Sequence, residues 1–234
     1  MSGGKGYGIG GWIKHSFIDF PGTVSTVLFF NGCNLRCPYC HNPELVRGSQ
    51  TSVNFDEIIA YLRRRPGIIE GVVLSGGEPT LHGSALLDIV RELRTLGLTV
   101  KLDTNGLLPE MITAIAPDYC ALDLKTSPSR YPELGCNIQP EQLPLLRSLD
   151  IIRAMGNRAE VRITVARPFI DNAVIEEFTV LLSGMENVFL QPLRTTKPLL
   201  DPDFDTRNSI SAETIQQYRS QLATVVKSCI IRGD

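Results

Sequence analysis

The sequence is most informative first for what it lacks. No stretch approaches the roughly 18 apolar residues that a membrane-crossing helix needs, so no membrane association is expected. No polybasic run is present, and a net charge of −2 over 234 residues leaves no electrostatic footprint for nucleic acid. The Gly-rich, polar start from Met1 to Gly8 has none of the apolar core of a secretory leader. Residues 1–9 are expected to be a flexible tail, and the protein to be cytoplasmic. There is no internal repeat of fixed period and no low-complexity block. Cysteine is scarce outside one short stretch: Cys120, Cys136 and Cys229 stand alone, and His15 and His82 have no cysteine beside them. That leaves no second knuckle of the kind that completes most structural zinc sites. The remainder is ordinary for a globular protein, 43% apolar and 21% charged, with length enough for one substantial core. A single domain over 1–234 is expected.

What is present is concentrated at Asn31–Asn42. Cys33, Cys37 and Cys40 fall within eight residues, spaced Cys-x-x-x-Cys-x-x-Cys. The preceding Val24–Phe30 is β-branched and aromatic and predicts a buried strand. Gly32 gives a sharp turn out of it, so the thiols sit on a loop at the strand's C-terminal end, where α/β folds carry their chemistry. Three readings of the spacing stand side by side. Three thiolates can hold an iron–sulfur cluster with one iron left without a protein ligand. Zinc can be held with His41 as fourth ligand. Or the three are unrelated buried cysteines.

The rest of the chain alternates. Gly10–Gly22 predicts an edge strand or hairpin ending at the Pro21-Gly22 turn, with Asp19 either structural or near the cysteine loop. Asn54 to Glu57 is a capping-box pattern opening a helix to about Arg65. Gly71–Leu74 is a short buried strand running into Ser75-Gly76-Gly77-Glu78-Pro79, where paired glycines let a ligand approach the backbone. A helix over Ser84–Leu96 precedes a strand at Leu98–Leu102 and the turn Asp103-Thr104-Asn105-Gly106. A short helix at Pro109–Ala116 leads to the strand Tyr119–Lys125, whose Asp123 and Lys125 have a mutual salt bridge as their plain explanation. A helix is predicted over Pro140–Met155 with Pro144 in its first turn, where proline is tolerated, then a strand at Glu160–Ala166 carrying Arg162. Asp171–Leu182 is helical, and Val188–Leu193 is a sixth strand ending near Gln191. Residues 195–234 are expected to be a Pro- and Asp-rich loop followed by a helix over Ser211–Val226, with Cys229 a buried apolar residue. About six strand–helix units imply an α/β fold with parallel strands, an open partial (β/α)6 TIM-like barrel.

The cysteine spacing, with aromatic Tyr39 before the last cysteine, resembles the signature of the radical S-adenosylmethionine (radical SAM) superfamily. The string Cys37-Pro38-Tyr39-Cys40-His41-Asn42-Pro43-Glu44-Leu45 is similar to glycyl-radical-enzyme activating proteins, most of all to activators of anaerobic ribonucleoside-triphosphate reductase. The resemblance runs from Gly8 to about Arg194. It implies a 4Fe–4S cluster on Cys33, Cys37 and Cys40 that binds S-adenosylmethionine and cleaves it to a 5′-deoxyadenosyl radical, which takes a hydrogen from a glycine of a partner enzyme. It implies that Gly76, Gly77 and Glu78 bind the amino group of S-adenosylmethionine, and that Tyr39 and the backbone at His41 frame its adenine. Asn105 and its turn lie beside the methionine carboxylate, Lys125 pairs with that carboxylate, and Arg162 and Gln191 reach the site. Asp103 and Asp123 help hold a monovalent cation. No further catalytic side chain is implied. The expected partners are a glycyl-radical enzyme and an electron donor such as flavodoxin or ferredoxin. Activation of pyruvate formate-lyase, small-molecule radical chemistry of a deazapurine-forming kind, and a non-catalytic zinc module are the alternatives.

Overall fold

The computed structural model of the chain describes residues 7–196 and 198–233. Most of the tail expected over residues 1–9 lies outside the described residues, and the first strand already begins at Ile9, which is fully buried. The fold is α/β with mostly parallel, open strands, as the alternation predicts. The chain divides into two compact units. One takes in the chain up to Cys33, Glu44–Thr104 and Glu110–Tyr119; the other takes in Asn34–Pro43, Asn105–Pro109 and the chain from Cys120 onward.

In the first unit β1 (Ile9–Ser16) runs antiparallel to β2 (Ser25–Phe30). β2 is parallel to β3 (Gly71–Gly76), and β3 to β4 (Thr99–Thr104). Their middles are continuous apolar runs, Val27-Leu28 and Val72-Val73-Leu74, buried on both faces as parallel strands require. Helices α1 (Pro43–Arg47), α2 (Phe55–Arg63), α3 (Gly83–Thr95) and α4 (Pro109–Ile115) follow the strands. Asn54 caps α2 by accepting the Asp56 N–H, and the helix stops before Arg64, short of the Pro66-Gly67 breaker. Phe20, Val27 and Val73 form a buried cluster with Phe29 and Tyr119 against it.

The strand register corrects the functional expectation for Asp19. Ile9 pairs with Phe30 and Ser16 with Ser25. The turn after Ser16 therefore lies at the N-terminal end of β2, about 17 Å along the strand from Phe30 at roughly 3.3 Å per residue. Asp19 is at the end opposite the cysteine loop. Its carboxylate accepts from the Ser16 hydroxyl, and the Ile18 and Asp19 amides donate to Ser16 Oγ. It shapes its own turn.

In the second unit β5 (Tyr119–Asp123, its first residue in the other unit), β6 (Ala159–Val165), β7 (Asn187–Pro192) and β8 (Ser228–Ile231) are consecutive parallel neighbours. Helices α5 (Leu145–Met155), α6 (Asn172–Leu181) and α7 (Ala212–Leu222) connect them. The six strands expected from the sequence are β2 to β7. The C-terminal stretch expected to be loop and helix alone carries β8, with Cys229 buried within it. Beyond β8, Arg232 donates two hydrogen bonds at 2.9 Å to the buried Glu160 carboxylate, and its guanidinium lies 3.5 Å from the Phe189 ring centre. The helix predicted from Pro140 is broken: a 3₁₀ turn covers Pro140–Gln142 and α5 starts only at Leu145. Pro144 lacks an N–H and pushes Leu143 into an extended conformation, which interrupts the helix.

Candidate functional site

Most of the expected site residues lie at the C-terminal end of a strand or in the loop beyond it; Arg162 lies in the middle of β6. In the first unit the cysteine loop leaves β2 through Gly32, whose N–H donates to the Leu45 carbonyl at 2.6 Å and whose φ is +83°. The Gly76-Gly77 turn is locked directly onto this exit. Gly77 N–H donates to Phe30 O at 2.8 Å, and Glu78 N–H donates to Gly32 O at 2.8 Å. There is no room for a side chain: a Cβ on Gly77 would lie 1.9 Å from Gly32 O, and one on Gly76, at φ +119°, would lie 2.3 Å from Phe30 N. The glycines thus bring two strand ends together by backbone contact alone.

Glu78 is almost wholly buried, and its Oε1 accepts from Thr80 N–H at 3.2 Å, Thr80 Oγ1 at 2.6 Å and Thr104 Oγ1 at 2.8 Å. It caps the following 3₁₀ turn and ties it to β4. Asp103 accepts from the buried Lys101 ammonium at 2.6 Å and from Ser75 Oγ at 3.2 Å. Lys101 was not singled out from the sequence, although residues two apart on a strand share a face.

In the second unit the remaining part of the cysteine loop is held at several points. Arg36 N–H donates to Leu134 O at 2.6 Å. Asn34 Oδ1 accepts from Asn105 Nδ2 at 2.7 Å, while Asn105 Oδ1 accepts from Leu107 N–H at 3.1 Å. Asn105 is thus joined to the loop through Asn34, which sequence reasoning passed over. Tyr39 packs in an aromatic group with Phe169, 5.6 Å between ring centres, and Phe204, 5.9 Å. Neither phenylalanine carries a local signal, since both contacts span more than a hundred residues. The Tyr39 hydroxyl is buried with no hydrogen bond of ordinary geometry. Burial, then the neighbouring Cys37 thiol, push its ionisation well above the tyrosine range. His41 is exposed, and its Nε2 donates to the Arg194 carbonyl at 2.7 Å.

Asp123, Lys125 and Arg162 form one charge cluster at the end of β5 and the middle of β6, where Asp123 and Arg162 are register partners. Arg162 Nε is 2.7 Å from Asp123 Oδ1, and Lys125 Nζ is 3.1 Å from Asp123 Oδ2. Burial would raise the Asp123 carboxyl, but the Arg162 guanidinium and the Lys125 ammonium hold it well below the carboxylate range. Burial likewise pushes the Cys37 thiol up, against the pull of the Lys125 ammonium. Gln191 is half-buried at the end of β7, beside Thr164. Asp103 is paired with Lys101, and Asp123 with Arg162 and Lys125.

Among the described residues, no three His, Cys, Asp or Glu side chains stand close enough together to count as a metal site as they are. The chemistry of the donors nonetheless suits an iron–sulfur cluster. One thiol is buried, two are partly exposed, an ammonium offsets negative charge at Cys37, and an unsatisfied hydroxyl lies beside it.

Comparison with known proteins fits this arrangement. Residues 27–179, more than half of the chain, match the family model described as the radical SAM superfamily, and the chain belongs to that superfamily. It is therefore an enzyme of a class whose chemistry uses a 4Fe–4S cluster and S-adenosylmethionine. A protein of Methanocaldococcus jannaschii, provisionally named a glycyl-radical enzyme activating enzyme, is 33% identical over 84% of this chain and 83% of its own. A 7-carboxy-7-deazaguanine synthase of Hyperthermus butylicus is also 33% identical, over 76% of this chain and 72% of its own. The pyruvate formate-lyase-activating enzyme of Clostridium pasteurianum is 37% identical over 38% of this chain and 39% of its own. Among solved structures, coproporphyrinogen III oxidase from Escherichia coli superposes with a TM-score of 0.56 at 11% identity, covering 85% of this chain and 51% of that one. A structure of TYW1 with a lysine–pyruvate adduct gives 0.61 at 17% identity, covering 86% and 73%. These two show the fold alone.

Two outcomes are expected. Gly77→Ala drives a methyl group into the Gly32 carbonyl and should lower folding stability by about 2 kcal/mol, read from a denaturant midpoint; an unchanged midpoint contradicts the close docking. Asp123 has a depressed carboxyl, so its stabilisation is complete above the ordinary aspartate range, near pH 4, and is lost as pH falls below it. The stability gap between the native protein and Asp123→Asn should therefore be wide at neutral pH and shrink in acid, as measured by denaturant titrations at several pH values. A gap independent of pH contradicts the charge cluster.

Proposed function

We propose that the protein activates a glycyl-radical enzyme by radical SAM chemistry, with anaerobic ribonucleoside-triphosphate reductase as the partner. The observation that carries this reading is the M. jannaschii relative, similar over more than four fifths of both chains. The string from Cys37 to Leu45 supports the same reading. Held at the cysteine loop by Cys33, Cys37 and Cys40, a 4Fe–4S cluster would supply the electron for reductive cleavage of S-adenosylmethionine.

The chain's own residues have distinct tasks. Cys33, Cys37 and Cys40 donate three thiolates and leave one iron position without a side chain. Burial pushes the Cys37 thiol up, and the Lys125 ammonium beside it would favour a thiolate ligand there. Gly76 and Gly77 offer backbone carbonyls and Glu78 its carboxylate to an amino group, while Glu78 Oε1 also fixes the turn through Thr80 and Thr104. Lys125 presents an ammonium for a carboxylate, oriented by Asp123, which Arg162 holds in place. Asn105 keeps its turn against the loop through Asn34. Tyr39 fills the apolar side of the loop, and Gln191 lies where a ribose or base edge would be met. Flavodoxin or ferredoxin is the proposed reductant, in the cytoplasm. No helix among the described residues is long and apolar enough to cross a membrane.

A second reading, a small-molecule radical SAM enzyme forming a deazapurine, is favoured by the H. butylicus relative. Anaerobic incubation with dithionite, S-adenosylmethionine and either ribonucleotide reductase or pyruvate formate-lyase separates them. A glycyl-radical signal in electron paramagnetic resonance on the reductase is expected, lost entirely with Cys37→Ala. A signal only on pyruvate formate-lyase would replace the partner. No signal on either, with conversion of a small heterocyclic precursor, would overturn the activase reading.

A further inference from the structure

The segment 198–204, which the sequence presents as a plain Pro- and Asp-rich loop, touches the cysteine loop at three consecutive residues. Leu200 N–H donates to the Cys40 carbonyl at 3.0 Å, and Asp201 N–H donates to the Pro38 carbonyl at 3.0 Å. Between these two carbonyls the Tyr39 side chain departs to meet the Phe204 ring. The segment is itself shaped by short-range bonds. Asp203 N–H donates to Asp201 Oδ1 at 2.9 Å, and Phe204 N–H donates to Asp201 O at 3.1 Å. Leu199 and Phe204 are buried. Just beyond, Asp205 caps a 3₁₀ turn, Arg167 N–H donates to Asn208 O at 2.8 Å, and Ser209 bridges to Ala166. The strap is therefore anchored on the loop that follows β6, which also supplies Phe169 to the same aromatic group.

We propose that Leu200, Asp201 and Phe204 are positioning residues that hold Pro38–Cys40 in one backbone conformation before any cluster is bound. Two amides and one ring act on two carbonyls and one ring, so neither the path of the loop nor the direction of Tyr39 is free to vary. A loop ordered in advance loses less entropy when it takes up its cofactors. The consequence falls on the geometry of the bound S-adenosylmethionine more than on the presence of iron, because none of the three residues is a thiol. The proposal rests on membership of the superfamily and is independent of which partner enzyme is activated.

Hydrogen exchange on the cluster-free protein tests it first. The Leu200 and Asp201 amides should exchange at least about tenfold more slowly than those of an unstructured chain, and Phe204→Ala should accelerate both while the thermal transition stays cooperative. After anaerobic reconstitution, Phe204→Ala should retain iron and sulfide, raise KM for S-adenosylmethionine more than it lowers kcat, and broaden the paramagnetic resonance of the reduced cluster with S-adenosylmethionine. Phe204→Tyr, which keeps the ring, should restore the slow amide exchange, the KM and the narrow resonance. Should Phe204→Ala fail to fold, Phe204→Leu, which keeps apolar volume and loses the ring contacts, carries the same comparison. Unprotected Leu200 and Asp201 amides in the cluster-free native chain, or exchange and spectra of the ringless variant equal to those of the native chain, would overturn the proposal. Either result would leave the activase reading standing.

Discussion

The absence of side chains at Gly76 and Gly77 is the constraint on which the first unit's chemistry depends. Parallel pairing of β2 with β3 sets Phe30 opposite Gly76, and the two hydrogen bonds just past that pair carry the contact on to Gly32. A ladder that continues beyond the last strand residue is unusual only in what it joins: the first residue of the cysteine loop's exit and the Gly76–Glu78 turn. Any Cβ at either glycine meets backbone, which cannot rotate away as a side chain can. The position of Cys33 and the shape of the Gly76–Glu78 turn are consequently set by one contact.

The second unit solves a different problem, the placement of charge near a buried thiol. Asp123 carries two cationic partners, and the excess positive charge of that cluster lies close enough to influence Cys37. A lone buried lysine would tend to lose its proton. With Asp123 beside it, Lys125 instead holds its proton more firmly than an isolated ammonium: burial lowers its affinity, but its neighbours, the Asp123 carboxylate first, more than offset this. The result is a fixed cation next to the buried Cys37 thiol, supported by residues on two neighbouring strands.

Much of this was legible in the sequence because parallel strands buried on both faces read as unbroken apolar runs. Val27–Phe30 and Val72–Leu74 could hardly be anything else. The motif turns were equally plain, since glycine pairs and strand-end charges sit where the alternation puts loops. What was hidden follows from chain direction and long-range contact. The Phe17–Gly22 turn directly precedes β2, so connectivity alone sets it at the end of β2 away from the cysteine loop, a constraint that the reading of Asp19 left unused. β8 is only four residues long, so its pairing with β7 outweighed a weak local signal. Asp103 was expected to help hold a cation from the resemblance alone, and its ion pair with Lys101 was not foreseen. Phe169, Phe204, Leu200 and Asp201 act on the cysteine loop from far along the chain, and nothing local in them announces it.

The central claim is that three cysteine sulfurs hold a cluster and leave one iron for S-adenosylmethionine. Mössbauer spectroscopy of the anaerobically purified, iron-57-labelled protein tests it most directly. The account predicts 4Fe–4S iron in which a single iron site changes its isomer shift on addition of S-adenosylmethionine. Stoichiometric zinc without iron, or a cluster whose iron sites are all unaffected by S-adenosylmethionine, would contradict it.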